Sequence, residues 1–170
     1  MNTIKKTFTA AALAVSLTLC ACSSGSNAPK ATQTPSPIIH TFDNFNITLS
    51  SDFTESNQTQ YTFFYSSSDS ICIGEKENKS DLAATGITVN SLSEYAGLIM
   101  SNTGITSEPV SYGQGLYYEW EKNVNGTDYS YIAYVIDTGD SYWVVQFASL
   151  KETYAGFKDY YLSCFDSITF

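Results

Sequence analysis

The run Leu116–Ser149, LYYEWEKNVNGTDYSYIAYVIDTGDSYWVVQFAS, decides the fold. It holds three apolar stretches, Leu116 to Val124, Tyr129 to Ile136 and Tyr142 to Ser149, separated by Asn125-Gly126-Thr127 and Asp137-Thr138-Gly139-Asp140. Asn, Asp and Gly accept the positive φ that tight hairpins need, so the run predicts a three-stranded antiparallel meander. Side chains alternate along a strand. Leu116, Tyr118 and Trp120 therefore share one face, and Tyr117, Glu119 and Glu121 the other. In the last strand Trp143, Val145 and Phe147 oppose Tyr142, Val144 and Gln146.

Working outward, Lys151 to Cys164 places Tyr154, Phe157, Tyr161 and Cys164 on one helical stripe, and Asp166 to Phe170 reads as a short closing strand. Upstream, Ser91-Leu92-Ser93-Glu94 fits a capping box. Leu92, Tyr95, Ala96 and Ile99 then follow at helical spacing, and Gly104 is the predicted stop. Tyr61 to Ser66 and Ser70 to Glu75 predict two strands around a Ser-Ser-Asp turn. Ile38 to Phe42 and Phe45 to Leu49 predict a hairpin around Asp43-Asn44, with Phe45, Ile47 and Leu49 on its buried face. The expected fold class is α+β: a twisted antiparallel sheet with two main helices packed on it, in a single domain over 38–170.

This order of elements, ending in Phe165-Asp166-Ser167-Ile168-Thr169-Phe170, resembles the PsbP/Mog1-like α/β/α sandwich over essentially all of 38–170. That group shares no catalytic motif, so the resemblance assigns no functional residue.

The N-terminus carries a different message. Lys5 and Lys6 precede a dozen uncharged, largely apolar residues, Phe8 to Leu19, a length that suits a signal peptide and is too short to span a bilayer. The following Leu19-Cys20-Ala21-Cys22-Ser23 resembles the lipobox of bacterial lipoproteins. The resemblance implies lipid on Cys22 and cleavage just before it, leaving residues 1–21 as signal peptide. Cys20 fits less well, because bulky Leu19 precedes it where a small residue is wanted. Residues 23–37 are rich in Ser, Thr, Pro and Ala and read, with Cys22, as a lipidated tether. Fifteen such residues reach about 50 Å extended and average roughly 20 Å as a coil. The expected location is the extracytoplasmic face of a cell membrane, held by acyl chains.

The chain has a net charge of −9 and contains no arginine. Loss of Lys5 and Lys6 with the signal makes the remainder more acidic still, and such a surface repels nucleic acid. The expected partners are the membrane, through the lipid, and an envelope protein or glycan; the chain reads as a monomer. Cys72 and Cys164 read either as one disulfide of an exported domain or as two buried thiols.

Little in the sequence suggests catalysis. His40 is the only histidine, which leaves a triad or a thiol nucleophile without a second candidate base. No phosphate loop, Cys-x-x-Cys pair or calcium-binding loop occurs, so no cofactor or metal is expected. Glu75 with Glu77, and Glu119 with Glu121, stand at period two on strand faces. Paired carboxylates serve glycoside hydrolysis or bind cations, but they read more simply as solvated sheet surface. Tyr117, Tyr118, Tyr131 and Tyr134 concentrate on neighbouring strands and suggest an aromatic binding face. The expectation is a non-enzymatic binding or accessory module, with a cell-wall or glycan hydrolase using Glu119 and Glu121 as the rival.

Overall fold

The computed structural model describes residues 35–170. Strands β1 (Pro37–Phe42) and β2 (Phe45–Ser50) form the expected hairpin. Next come β3 (Thr54–Glu55), β4 (Phe63–Ser66) and β5 (Ser70–Asn78), then helices α1 (Lys79–Ala84) and α2 (Leu92–Thr103). The chain closes with β6 (Val110–Tyr112), the meander β7 (Gly115–Val124), β8 (Thr127–Asp137) and β9 (Ser141–Leu150), and helix α3 (Lys151–Asp166). β3 to β9 build one antiparallel sheet in the order β3-β4-β5-β9-β8-β7-β6, so β5 docks on β9 and the sequence-adjacent meander completes the sheet.

Three layers result. On one face the hairpin and α3 bury a large aromatic core. Phe45 lies on Trp143 with ring centroids 4.3 Å apart, Phe147 on Tyr161 at 4.6 Å, and Tyr134 on Phe165 at 4.8 Å. Stacked contacts of this kind add to the gain from burying the rings themselves. On the other face α2 sets Tyr95, Ala96 and Met100 against Tyr118, Ala133, Val135 and Tyr142. β8 is covered on both sides, and every residue from Tyr129 to Ile136 is buried.

α2 matches its sequence signals. Ser91 Oγ accepts a hydrogen bond from the Glu94 amide at 3.1 Å, and Gly104 ends the helix at φ 73°. The last residues depart from expectation. α3 continues through Asp166, and the expected closing strand is reduced to a single bridge, in which the Asn46 amide donates to the Thr169 carbonyl at 2.9 Å. The helix wins because Phe165 is one of its buried residues. α3 and the residue after it still cover the edge of β2: the Thr48 amide donates to Ser167 Oγ and the Ser50 amide to Tyr160 OH in α3, both at 2.9 Å. These bonds satisfy donors that an unpaired strand leaves open.

Candidate functional site: a groove beside helix α2

Pleating gives β5 two faces. Cys72, Gly74 and Lys76 point to the α3 side, whereas Ile73, Glu75 and Glu77 point to the α2 side. α2 roofs only part of that second side. At Gly104 the chain turns left-handed, and the segment through Ser107 becomes a side wall. Between wall and sheet lies a groove of about 850 Å³, within the range of small-molecule sites. Its floor includes Glu75, Val144, Gln146, Trp120 and Tyr131, and α2 contributes Leu98, Ile99, Asn102 and Thr103.

Two carboxylates stand in it, and they differ. Glu77 accepts a hydrogen bond from Tyr95 OH at 2.7 Å, and Tyr95 is itself stacked on Tyr142 at 4.0 Å. Burial, then the nearby Glu77 carboxylate, holds the Tyr95 phenol far above its usual range. Glu75 is half-buried and, among the described residues, receives neither a hydrogen bond nor an ion pair. Its carboxyl is pushed up from the ordinary glutamate value by burial first and by Glu77 second. An aromatic wall completes the groove. Trp120 lies flat on Tyr131 at 4.9 Å, and Tyr118 stands 5.6 Å from Trp120. In the side wall, Ser107 Oγ is buried without a partner.

The four tyrosines read as one binding face do not form one. Tyr118 and Tyr131 lie on the α2 side, and Tyr117 and Tyr134 on the α3 side. Tyr118, Tyr131 and Tyr134 are only 2 %, 5 % and 3 % exposed. Both faces of the sheet are covered, so the outward face that alternation implies does not exist at these positions. Tyr134 is a core residue whose hydroxyl donates to the Tyr112 carbonyl at 2.8 Å. Tyr117 is half-buried beneath Lys158, whose Nζ is 5.8 Å from its ring centre.

Glu119 and Glu121 turn to the α3 side and are neutralised separately. Glu119 accepts from Tyr154 OH and pairs with Lys158 at 2.7 Å, while Glu121 pairs with Lys151 at 2.6 Å. An acid–base pair shares a cleft and a reacting atom. These two carboxylates instead anchor α3 to β7. His40 packs on Tyr65 at 4.5 Å on that same side, with Nε2 buried and unpartnered, and burial lowers its pKa. Cys72 and Cys164 are free, buried thiols in the α3-side core. Burial pushes Cys72 well up, with Cys164 adding to it, and pushes Cys164 up to about 11. Cys22 lies outside the described residues. Among those described, no helix is long and apolar enough to cross a membrane.

Comparison with known proteins adds information on fold. No family model and no curated protein matches the chain. Solved structures do match. A crystal structure from Bacteroides thetaiotaomicron superposes with a TM-score of 0.53 at 14 % identity, over 78 % of this chain and 47 % of that one. The solution structure of cyanobacterial PsbP (CyanoP) from Synechocystis superposes at 0.46 with 9 % identity, over 86 % of this chain and 98 % of that one. This chain thus spans about half the length of the Bacteroides protein. The likeness to that protein is one of fold, and the Synechocystis overlay is too loose to argue from.

Proposed function

We propose that this chain is a lipid-anchored, extracytoplasmic binding module without catalysis of its own, and that it holds its ligand in the groove beside α2. The observation that carries the reading is Glu75: a half-buried carboxylate with no partner among the described residues, at the floor of a cavity of ligand size. Leaving such a group unpaired costs stability, so it marks a place where something other than this domain completes the contact. The resemblance of Leu19–Ser23 to a lipobox, followed by a Ser/Thr/Pro-rich stretch, supports the placement, because acyl chains on Cys22 would hold the domain at a membrane surface. What supports a reading without catalysis is that Glu119 and Glu121, the rival pair, are engaged by α3, and His40 lies across the sheet from the groove.

The two tryptophans give a direct test. Trp143 is fully buried, whereas Trp120 is half-exposed in the groove. Addition of a soluble envelope extract is expected to change the fluorescence of the wild-type chain and to leave a Trp120→Phe variant unchanged. A variant that responds as the wild type does places the contact elsewhere and contradicts the reading.

A further inference from the structure

The chemistry lining the groove is selective. A carboxylate without a partner attracts a cation, and among the described residues no lysine pairs with Glu75. Lys76, the neighbour of Glu75 in sequence, points across the sheet and pairs with Asp43 at 2.9 Å. Lys122 follows Trp120 on the same face of β7 and lines the groove, but it is exposed and forms no ion pair with Glu75. A bare divalent ion is poorly served, since it takes several oxygen ligands and no group of three metal-binding side chains gathers among the described residues. An anion meets Glu75 and Glu77 together and is repelled. The remaining wall is aromatic. Indole and phenol rings carry negative faces that attract cations, most strongly ammonium ions whose alkyl body also gains from apolar contact. Ile73, Ile99 and Val144 offer that contact.

On the reading that this groove is the binding site, we propose that its ligand is an organic ammonium ion with an apolar body. Glu75 carries the countercharge, and the half-exposed Trp120, backed by the buried Tyr131 and Tyr118, holds the body. Glu77, already engaged by Tyr95, raises the negative potential without making the first contact.

Three probes of one shape and different charge test this: hexylammonium, hexan-1-ol and hexanoate, titrated into the full chain while backbone amide shifts are followed. Hexylammonium is expected to shift groove residues and to bind about tenfold more tightly than either other probe, the increment of one charge-assisted contact backed by rings. Glu75→Gln is expected to lose that margin while leaving hexan-1-ol binding unchanged, which also shows that the variant is folded. Nα-acetyl-lysine amide separates the sources of such an ammonium. Tighter binding than hexylammonium points to a lysine side chain on a peptide, and weaker binding to a free amine. If hexan-1-ol or hexanoate matches hexylammonium at the groove, the groove remains a binding site and only the ammonium assignment falls. If no probe shifts groove residues, both fall.

Discussion

A carboxylate that leaves water without gaining a partner favours its protonated form, and Glu75 is in that position. The folded state then holds the Glu75 proton more tightly than the unfolded chain does. Its influence on stability is therefore most favourable below the ordinary glutamate range. That contribution is lost as pH rises from there to the raised folded value, and stays lost above it. Glu75→Gln removes the titration. It is expected to raise stability at neutral pH by roughly 1 kcal/mol, the scale of a typical single substitution. Thermal unfolding of both proteins from pH 4 to 8 checks this: the gap should open as pH rises, and equal melting temperatures at neutral pH would show that Glu75 carries no such penalty. The core thiols give a second prediction. Thiolate is the reactive form, and burial disfavours it at both Cys72 and Cys164. Neither should be alkylated in the native protein at pH 8, and both should be alkylated on unfolding without reductant. Failure to label after unfolding would mean that the two are bridged.

At the scale of elements, the most legible part was α2, because every signal for it is local. Ser91 and Glu94 cap its start, with Glu94 Oε2 also accepting from the Asn90 amide at 2.8 Å, and Gly104 supplies the left-handed turn at its end. Ser91→Ala is expected to cost about 1 kcal/mol, the usual worth of an N-cap. Gly104→Ala should cost a similar amount, about 1 kcal/mol from the left-handed backbone alone, since an added Cβ there meets nothing within 4 Å. Denaturant unfolding measures both, and an unchanged midpoint in either variant would contradict the assigned role. The meander was legible for the same reason: Asn125 and Gly126 take positive φ at its first turn. α1 has six residues, too few to show a period, and β6 has three. The end of β5 was missed because Glu75-Lys76-Glu77 reads as solvated surface until a helix from elsewhere in the chain covers one side of it.

At the scale of the whole molecule, the sequence showed a sheet with helices but not which of its faces remains open. The tyrosine patch and the groove failed to be seen for one shared reason. Exposure depends on what α2, α3 and the hairpin cover, and that cover is set by contacts between residues far apart in the chain. Tyr134 is buried by Phe165 and Tyr112, and Glu119 is engaged by Lys158, all from other elements. Glu75 and Glu77 were already visible as a period-two pair, and only the crossover of α2 makes them the floor of a cavity.

The proposed anchor is a whole-molecule property with its own test. An alkyne fatty acid fed to cells should label the wild-type chain and Cys20→Ser but not Cys22→Ser; the reverse pattern would move the lipid to Cys20. The central claim is that the groove beside α2 receives the ligand. Amide chemical-shift mapping of the full chain against soluble envelope extract tests it most directly. Shifts should gather at Glu75, Ile99, Thr103, Trp120 and Gln146, whereas shifts confined to α3 and the β1–β2 hairpin would contradict the account.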